Sequence, residues 1–339
     1  MEEKEIIDVI TLQETPEEQQ YDFMPKSFDE YLGQEKLKEK LKVYTQAAKM
    51  REESLDHMLL FGPPGLGKTT LSQIMAQVMD VGIKICSGPM MERTGDLVAI
   101  LSSLDPRDIL FIDEIHRMPT TVEEVLYSAM EHFRIDVIIG QGAGAKSINL
   151  PLHPFTLIGA TTQSGKISAP LRSRFGISER IDYYTFEDLQ KIILQSSKFL
   201  KINLSPEAAL RIAKSSRGTP RIAKKMLRRV RDFAQVKKVP IADDNLARKA
   251  LAFLGIDDDG LSTVDNMILR KMMEHFSGGP VGLETLASIV GEDKDTLETV
   301  YEPYLLRQGY LEKTPRGRQI AYKKLPFLQK KYFGQEAIV

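Results

Sequence analysis

Short apolar runs alternate with helix-patterned stretches through the first half of the chain. His57–Phe61, Ile83–Cys86, Ile109–Ile112 and Phe155–Gly159 are apolar runs of strand length, and they predict buried strands. A helix is expected over about Gln34–Glu53, where Leu37, Leu41, Tyr44 and Ala48 recur at helical spacing. Strands and helices in alternation imply a parallel sheet covered by helices. After about Tyr184 the strand pattern stops. Residues 186–201, 206–215, 220–237 and 243–253 carry helical patterns, which predict a small all-α domain. Asp257, Asp258, Asp259 and Gly260 then make a polar break before three more helices and a two-stranded ribbon, Tyr310–Tyr322, that turns at Pro315, Arg316 and Gly317. The first twenty residues are acidic, rich in Glu and Gln, and without periodicity. The expected division is a flexible arm at 1–20, an α/β domain at 21–184, a helical domain at 185–256 and a terminal domain at 257–339.

Composition narrows the class. With 42% hydrophobic and 27% charged residues in a chain of 339, a sizeable core can form. The lone Cys86 cannot form an internal disulfide, and no Cys/His cluster has the spacing of a structural zinc site. The start, MEEKEIID, is acidic where a signal peptide would be basic, and no apolar run reaches the ~18 residues of a membrane span. A cytoplasmic protein without a membrane partner is expected. The net charge of -1 conceals strong segregation: residues 201–255 carry 14 basic against 4 acidic residues, and residues 301–339 carry 8 against 3. Two basic segments on a balanced chain leave nucleic acid available as a partner.

Candidate chemistry begins at Gly62-Pro63-Pro64-Gly65-Leu66-Gly67-Lys68-Thr69, a phosphate-loop pattern between a predicted strand and the helical Thr70–Met79. The glycines let successive backbone amides face nucleotide phosphates, while the helix start adds partial positive charge. Lys68 would reach the phosphates and Thr69 would ligate magnesium. A second strand, Ile109–Ile112, ends in Asp113 and Glu114, 45 positions after Lys68. Asp113 suits the magnesium shell, and Glu114 suits activation of the attacking water. The strand ending at Thr161 and Thr162 either presents a hydroxyl to the γ-phosphate or simply carries threonines favoured in strands. In Pro170–Phe175, Arg172 and Arg174 either make local salt bridges or supply a finger to a neighbouring subunit. Arg221 is pinned at a helix start by Pro220, where a second domain could lay it over the nucleotide. Cys86, His116 and His132 have no motif around them and read as structural.

These residues and their order resemble the AAA+ ATPases, and within them the RuvB family of bacterial Holliday-junction branch-migration motors. The phrases that carry the resemblance include PKSFDEYLGQ (Pro25–Gln34), GPPGLGKTTL (Gly62–Leu71), FIDEIHR (Phe111–Arg117), EEVLYSAME (Glu123–Glu131), PLRSRFG (Pro170–Gly176), RGTPRIAKKMLRRVRDFA (Arg217–Ala234), YEPYLLRQGY (Tyr301–Tyr310) and TPRGR (Thr314–Arg318). The resemblance implies an AAA+ P-loop domain, a small helical lid and a carboxy-terminal winged helix. It further implies an ATP- and Mg2+-dependent homohexamer that pumps duplex DNA through Holliday junctions with RuvA and RuvC. It assigns nucleotide contacts to Phe23, Met24, Gly65, Gly67, Thr70, Glu131, His132, Phe133, Tyr184 and Arg221, and the trans-acting finger to Arg174 or Arg172. It makes Ile135–Leu150, with glycines at 140, 142 and 144, a hairpin that offers Ile148 and Leu150 to RuvA. Met24, Gln163 and Lys313 stand where the family usually carries Arg; Lys313 keeps charge without bidentate phosphate geometry.

In the terminal domain the third helix, about Asp295–Gln308, carries Glu298 and Glu302 and suits a phosphate-lined groove poorly. The wing carries Lys313, Arg316 and Arg318, which are expected to hold DNA phosphates without reading bases. Alternatively the basic ribbon is a solvated turn. Two other functions compete: a winged-helix initiator or regulator that uses ATP as a switch, and a clamp-loader subunit.

Overall fold

A computed structural model of the chain describes residues 23–139 and 146–334. The arm expected at 1–20 and the glycines at 140, 142 and 144 lie outside the described residues. The chain forms two compact units. One runs to Ile192 and includes Thr219–Arg221; the other comprises Ile193–Gly218 and the residues from Ile222 onward.

The first unit contains, in order, α1 (Glu35–Arg51), β1 (Met58–Phe61), α2 (Lys68–Met79), β2 (Ile83–Ser87), α3 (Thr94–Ser102), β3 (Ile109–Asp113), α4 (Thr120–His132), β4 (Arg134–Ile139), β5 (Lys146–Pro151), β6 (Thr156–Thr161), α5 (Ala169–Ser173) and β7 (Ile177–Arg180). Five strands form a sheet in the order β2-β3-β6-β1-β7, and every neighbouring pair is parallel. The four expected strands are present. The fifth, β7, escapes the hydrophobic pattern because Ile-Ser-Glu-Arg is short and largely polar. It lies at the sheet edge, and only Ile177 is buried. Polar side chains on an exposed edge also discourage unwanted strand pairing.

Parallel strands buried on both faces are apolar at successive positions, which explains the unbroken Ile109–Ile112 and Met58–Leu60 runs. Leu59, Leu110, Ile112 and Leu157 pack with Leu97, Leu126 and Phe175 in one core cluster. The register sets Phe61 beside Thr161 and Ile112 beside Gly159. Three strand ends therefore meet at one carboxyl edge, the usual ligand side of such sheets. Among the described residues β4 and β5 pair only with each other, antiparallel.

The second unit contains the second half of α6 (Phe186–Phe199), then α7 (Pro206–Ser215), α8 (Pro220–Lys237) after its first two residues, and α9 (Asp244–Phe253). It continues with α10 (Thr263–Phe276), α11 (Leu283–Val290), a helical stretch over 294–307 (α12), β8 (Leu311–Thr314), β9 (Gly317–Ile320) and α13 (Leu325–Phe333). Ser205, Asp243 and Ser262 cap α7, α9 and α10 by accepting an amide of the first turn. Within α12, Leu297–Tyr301 widens into a π turn, and the Glu302 amide donates to the Leu297 carbonyl. Pro303 has no amide to continue an α pattern, so the wider turn accommodates it. Val281 bridges to Arg318, so the hairpin β8–β9 gains a third short strand and the domain is a winged helix. Gly317 has φ 130°, and a Cβ there would lie 2.3 Å from the Val281 carbonyl oxygen, so no other residue fits that approach.

A buried ion pair ties the lid helices to the winged helix inside this unit. Arg217 donates to Asp265 and to Ser262 Oγ, and its guanidinium lies 4.7 Å from the centre of the Tyr304 ring. Burial pushes the Asp265 carboxyl upward, opposed by the Arg217 charge and by hydrogen bonds from Ser262.

Candidate active site

The loop between β1 and α2 wraps a lysine. Lys68 is 7% exposed, and its ammonium donates to the carbonyls of Gly62 (2.9 Å) and Pro63 (3.0 Å). Gly62 has φ 149°, and a Cβ there would lie 2.3 Å from the Ile181 carbonyl oxygen. Gly67 precedes α2 and offers no side-chain cap, which leaves the first-turn amides for an anion. Burial pulls the Lys68 pKa down, while Asp113 and Glu114 oppose that shift. Burial likewise raises the pKa of Asp113, opposed by the Lys68 and Arg221 charges. Lys68, Arg221 and Asp113 thus interact at the start of α2, whose first turn carries Thr69. That donor set fits a polyphosphate with magnesium, an ion usually held by one or two carboxylates and substrate phosphates. Among the described residues no cluster of three or more His, Cys, Asp or Glu could hold a metal by itself.

Glu114 adopts a left-handed backbone (φ 47°) immediately after β3. Its carboxylate accepts from the Thr162 hydroxyl at 3.0 Å and faces His116 Nδ1 at 3.1 Å. His116 Nδ1 also lies 2.9 Å from Thr161 Oγ1, whose oxygen accepts the Gln163 amide. Burial lowers the His116 pKa, so the ring is neutral at pH 7. A bare Nδ1 would set a lone pair against a carboxylate; the proton therefore sits on Nδ1, and the ring donates toward Glu114 and Thr161. His116, which reads as merely structural in the sequence, belongs to this network. Cys86 stays outside it, with burial pushing its thiol up to about 12.

Arg221 joins the site through its backbone as well, its amide donating to the Gly65 carbonyl at 3.4 Å. Tyr184 donates to the Tyr31 hydroxyl (2.7 Å) and to the Leu66 carbonyl (3.2 Å), which braces the phosphate loop from behind. Burial raises Tyr31 to about 12 and Tyr184 well above its ordinary value. Phe23 is half-buried and Met24 exposed at the start of the described chain.

The remaining candidates form a second group. Arg174 pairs with Glu131 (3.1 Å), donates to the Pro170 carbonyl (2.7 Å) and lies 4.6 Å from the Tyr127 ring centre. Arg172 is exposed and donates to the Ser164 carbonyl. His132 is exposed beside Glu131, whereas Phe133 packs against His57 and Phe155 at the core edge. On the hairpin, Ile148 is exposed and Leu150 half-buried.

On the wing, Lys313 and Arg318, which are expected to hold DNA phosphates, face the acidic pair on α12. Arg318 grips Glu302 through Nε (2.9 Å) and Nη2 (3.2 Å), and Lys313 lies 3.3 Å from the same carboxylate. Cross-strand pairing sets the two cations directly opposite each other, and the acidic pair on the neighbouring helix neutralises them. Arg316 at the turn is exposed, and its guanidinium has no partner among the described residues.

Adjacent parallel strands that end in a phosphate loop, an Asp-Glu pair and a threonine pair, together with a helical lid, define a P-loop ATPase of the AAA+ class. Family comparison places it within that class. Residues 23–181 match the family model of the Holliday junction DNA helicase RuvB P-loop domain, 184–257 the RuvB AAA lid domain, and 258–329 the RuvB C-terminal winged helix domain. The chain is 54% identical over 299 residues to the Holliday junction branch migration complex subunit RuvB of Lactobacillus johnsonii, covering 88% of each chain. It is 54% identical over 301 residues to the same-named subunit of Clostridium kluyveri, covering 89% of this chain and 86% of that one. The Thermotoga maritima RuvB Holliday junction branch migration motor matches with a TM-score of 0.78 at 47% identity, over 93% of this chain and 99% of that one. The chain belongs to the RuvB family. No described helix is long and apolar enough to cross a membrane.

Proposed function

We propose that this chain is an ATP-driven motor that moves duplex DNA to drive branch migration of Holliday junctions in recombination and repair. It would work in the cytoplasm as a homohexameric ring, with RuvA as its junction-holding partner and RuvC resolving the product. The observation that carries the reading is the shared edge of β1, β3 and β6, where Lys68, Asp113, Glu114 and Thr162 converge in a chain that also bears a winged helix.

In this reading the loop amides and Lys68 hold the ATP phosphates, and Arg221 adds charge beside them. Magnesium, held by Thr69 and Asp113, would supply charge neutralisation at the phosphates. Glu114 takes the proton of the attacking water, while Thr162 and His116 hold its carboxylate in place. Gly65, Gly67 and Thr70 line the phosphates, and Phe23, Met24 and Tyr184 lie toward the adenine. Arg174, with Glu131 and His132 beside it, would reach the neighbouring subunit's nucleotide; Arg172 is the other candidate. Phe133 would contribute only by supporting that segment. The division into an ATPase domain at 21–184, a lid at 185–256 and a winged helix at 257–339 completes the reading, with Ile148 and Leu150 on the hairpin toward RuvA and Lys313, Arg316 and Arg318 toward DNA.

The decisive assay is ATP-dependent dissociation of a synthetic four-way junction with RuvA present. Glu114→Gln should retain magnesium-dependent ATP binding yet lose at least about 100-fold in hydrolysis, together with junction dissociation, because only the base is removed. Normal turnover in that variant would remove Glu114 from the mechanism, and junctions left intact by the parent protein would remove the motor function.

A further inference from the structure

Two of the three wing cations are already neutralised within the chain, and by residues of different exposure. The Glu302 side chain is only 5% exposed and grips Arg318 with both oxygens, as a structural pair would. Glu298 is 46% exposed, yet it lies 3.4 Å from Arg318 Nη2 and 3.9 Å from Lys313 Nζ. Burial does not require Glu298, and the bidentate pair already orients Arg318 without it.

We propose that Glu298 is an affinity-setting residue: a built-in counter-charge that limits how tightly the wing holds DNA phosphates. The proposal rests on the reading that the wing contacts duplex DNA. Lys313 and Arg318 lie on adjacent strands, at directly opposed positions flanking the turn that carries Arg316. Phosphates approaching Arg316 therefore meet two cations that already share carboxylates. Each cation must exchange a carboxylate for a phosphate, so fewer counterions are released and binding weakens. A motor that moves along any sequence needs contacts that form and break at every step, and a competing internal anion supplies the exchange partner. Glu298 would act on DNA only through Lys313 and Arg318, which makes it a positioning and screening residue that touches no substrate.

A structural role predicts the opposite outcome. If Glu298 only held the ribbon in shape, its loss would weaken DNA binding along with stability. As a counter-charge, its loss strengthens binding. The test is duplex affinity of the full-length protein against salt concentration, using fluorescent duplexes of unrelated sequence. Glu298→Gln should bind roughly two- to fivefold tighter at low salt, the scale of an exposed ion pair. Its log–log salt slope should steepen by up to about 0.9 for each additional phosphate that the wing neutralises. Glu298→Ala should shift both in the same direction. Asp29→Asn is the control: it makes the same change in net charge, but its partner is Lys42 in the other compact unit, and it should leave the slope unchanged. Unchanged or weaker binding by a folded Glu298→Gln protein overturns the proposal, as does an equal increase from Asp29→Asn. Arg316→Ala separates the two layers. If it weakens binding while Glu298→Gln does not strengthen it, the counter-charge falls and the wing contact stands; if it has no effect, both fall.

Discussion

At the residue scale, the site's chemistry turns on how Glu114 is held. A carboxylate that must accept a proton from water works best at one fixed orientation, and two donors fix it here: the Thr162 hydroxyl at 3.0 Å and the His116 ring nitrogen at 3.1 Å. His116→Ala should lower kcat by about 10-fold or more with little change in ATP affinity, because the phosphates are held by other groups. His116→Asn, which can present an amide N–H at a similar reach, should recover part of that loss; steady-state ATPase kinetics of the two variants decide the matter. If both fall equally in kcat and in nucleotide binding, His116 merely supports the fold. The contrast between Glu114 and His116 shows what a sequence reveals. Asp113 and Glu114 announce themselves at the end of an apolar strand at the expected distance from a phosphate loop. His116 has no such frame, because its partner Thr161 lies 45 positions away and only the pairing of β3 with β6 brings the two together.

At the scale of elements, one histidine joins three of them. His57 immediately precedes β1; its Nδ1 accepts the Leu157 amide of β6 at 2.9 Å, and its Nε2 lies 3.1 Å from the Met130 carbonyl of α4. That pattern requires a neutral ring protonated on Nε2, and burial accordingly lowers the His57 pKa. The folded chain thus binds a proton at His57 less readily than the unfolded chain, so stability is fully present above the ordinary histidine pKa of about 6.5 and is lost progressively as pH falls below it. Thermal unfolding should show a midpoint that declines over that range. A His57→Gln variant, which keeps one donor and one acceptor, should decline less steeply; an unchanged slope would place the sensitivity elsewhere. Long elements were the legible ones. The helices over 206–215 and 220–237 coincide with the sequence expectation because their apolar stripes are unbroken. The polar edge strand β7 and the neutralised wing were not legible, the first because it buries one side chain and the second because a sequence shows charges without their partners.

At the scale of the molecule, the division of labour follows the charge. The acidic stretch of the chain carries the nucleotide site, while the basic stretches build the lid and the wing, and the buried Arg217–Asp265 pair makes lid and winged helix a single body. Truncating one partner of such a pair is expected to cost about 3–5 kcal/mol. Mixing subunits decides whether Arg174 serves its own site or another's. It is held by Glu131 and Tyr127 rather than by the phosphate loop, which favours action on a neighbour. Suppose that it does. An Arg174→Ala subunit then keeps a sound nucleotide site but offers no finger, and a Lys68→Ala subunit offers a finger but cannot hold ATP. Neither protein alone should hydrolyse ATP appreciably, since a finger contributes about 10³–10⁵ in rate. Mixed before ring assembly, the two should regain activity, because roughly a quarter of the interfaces in randomly mixed rings pair an intact site with an intact arginine. Mixed assembly would be verified with differently tagged subunits. Recovery with Arg174→Ala but not with Arg172→Ala identifies Arg174 as the finger; the reverse identifies Arg172. A mixture that contains both tags and stays inactive shows that Arg174 acts within its own chain, as a structural partner of Glu131 and Tyr127.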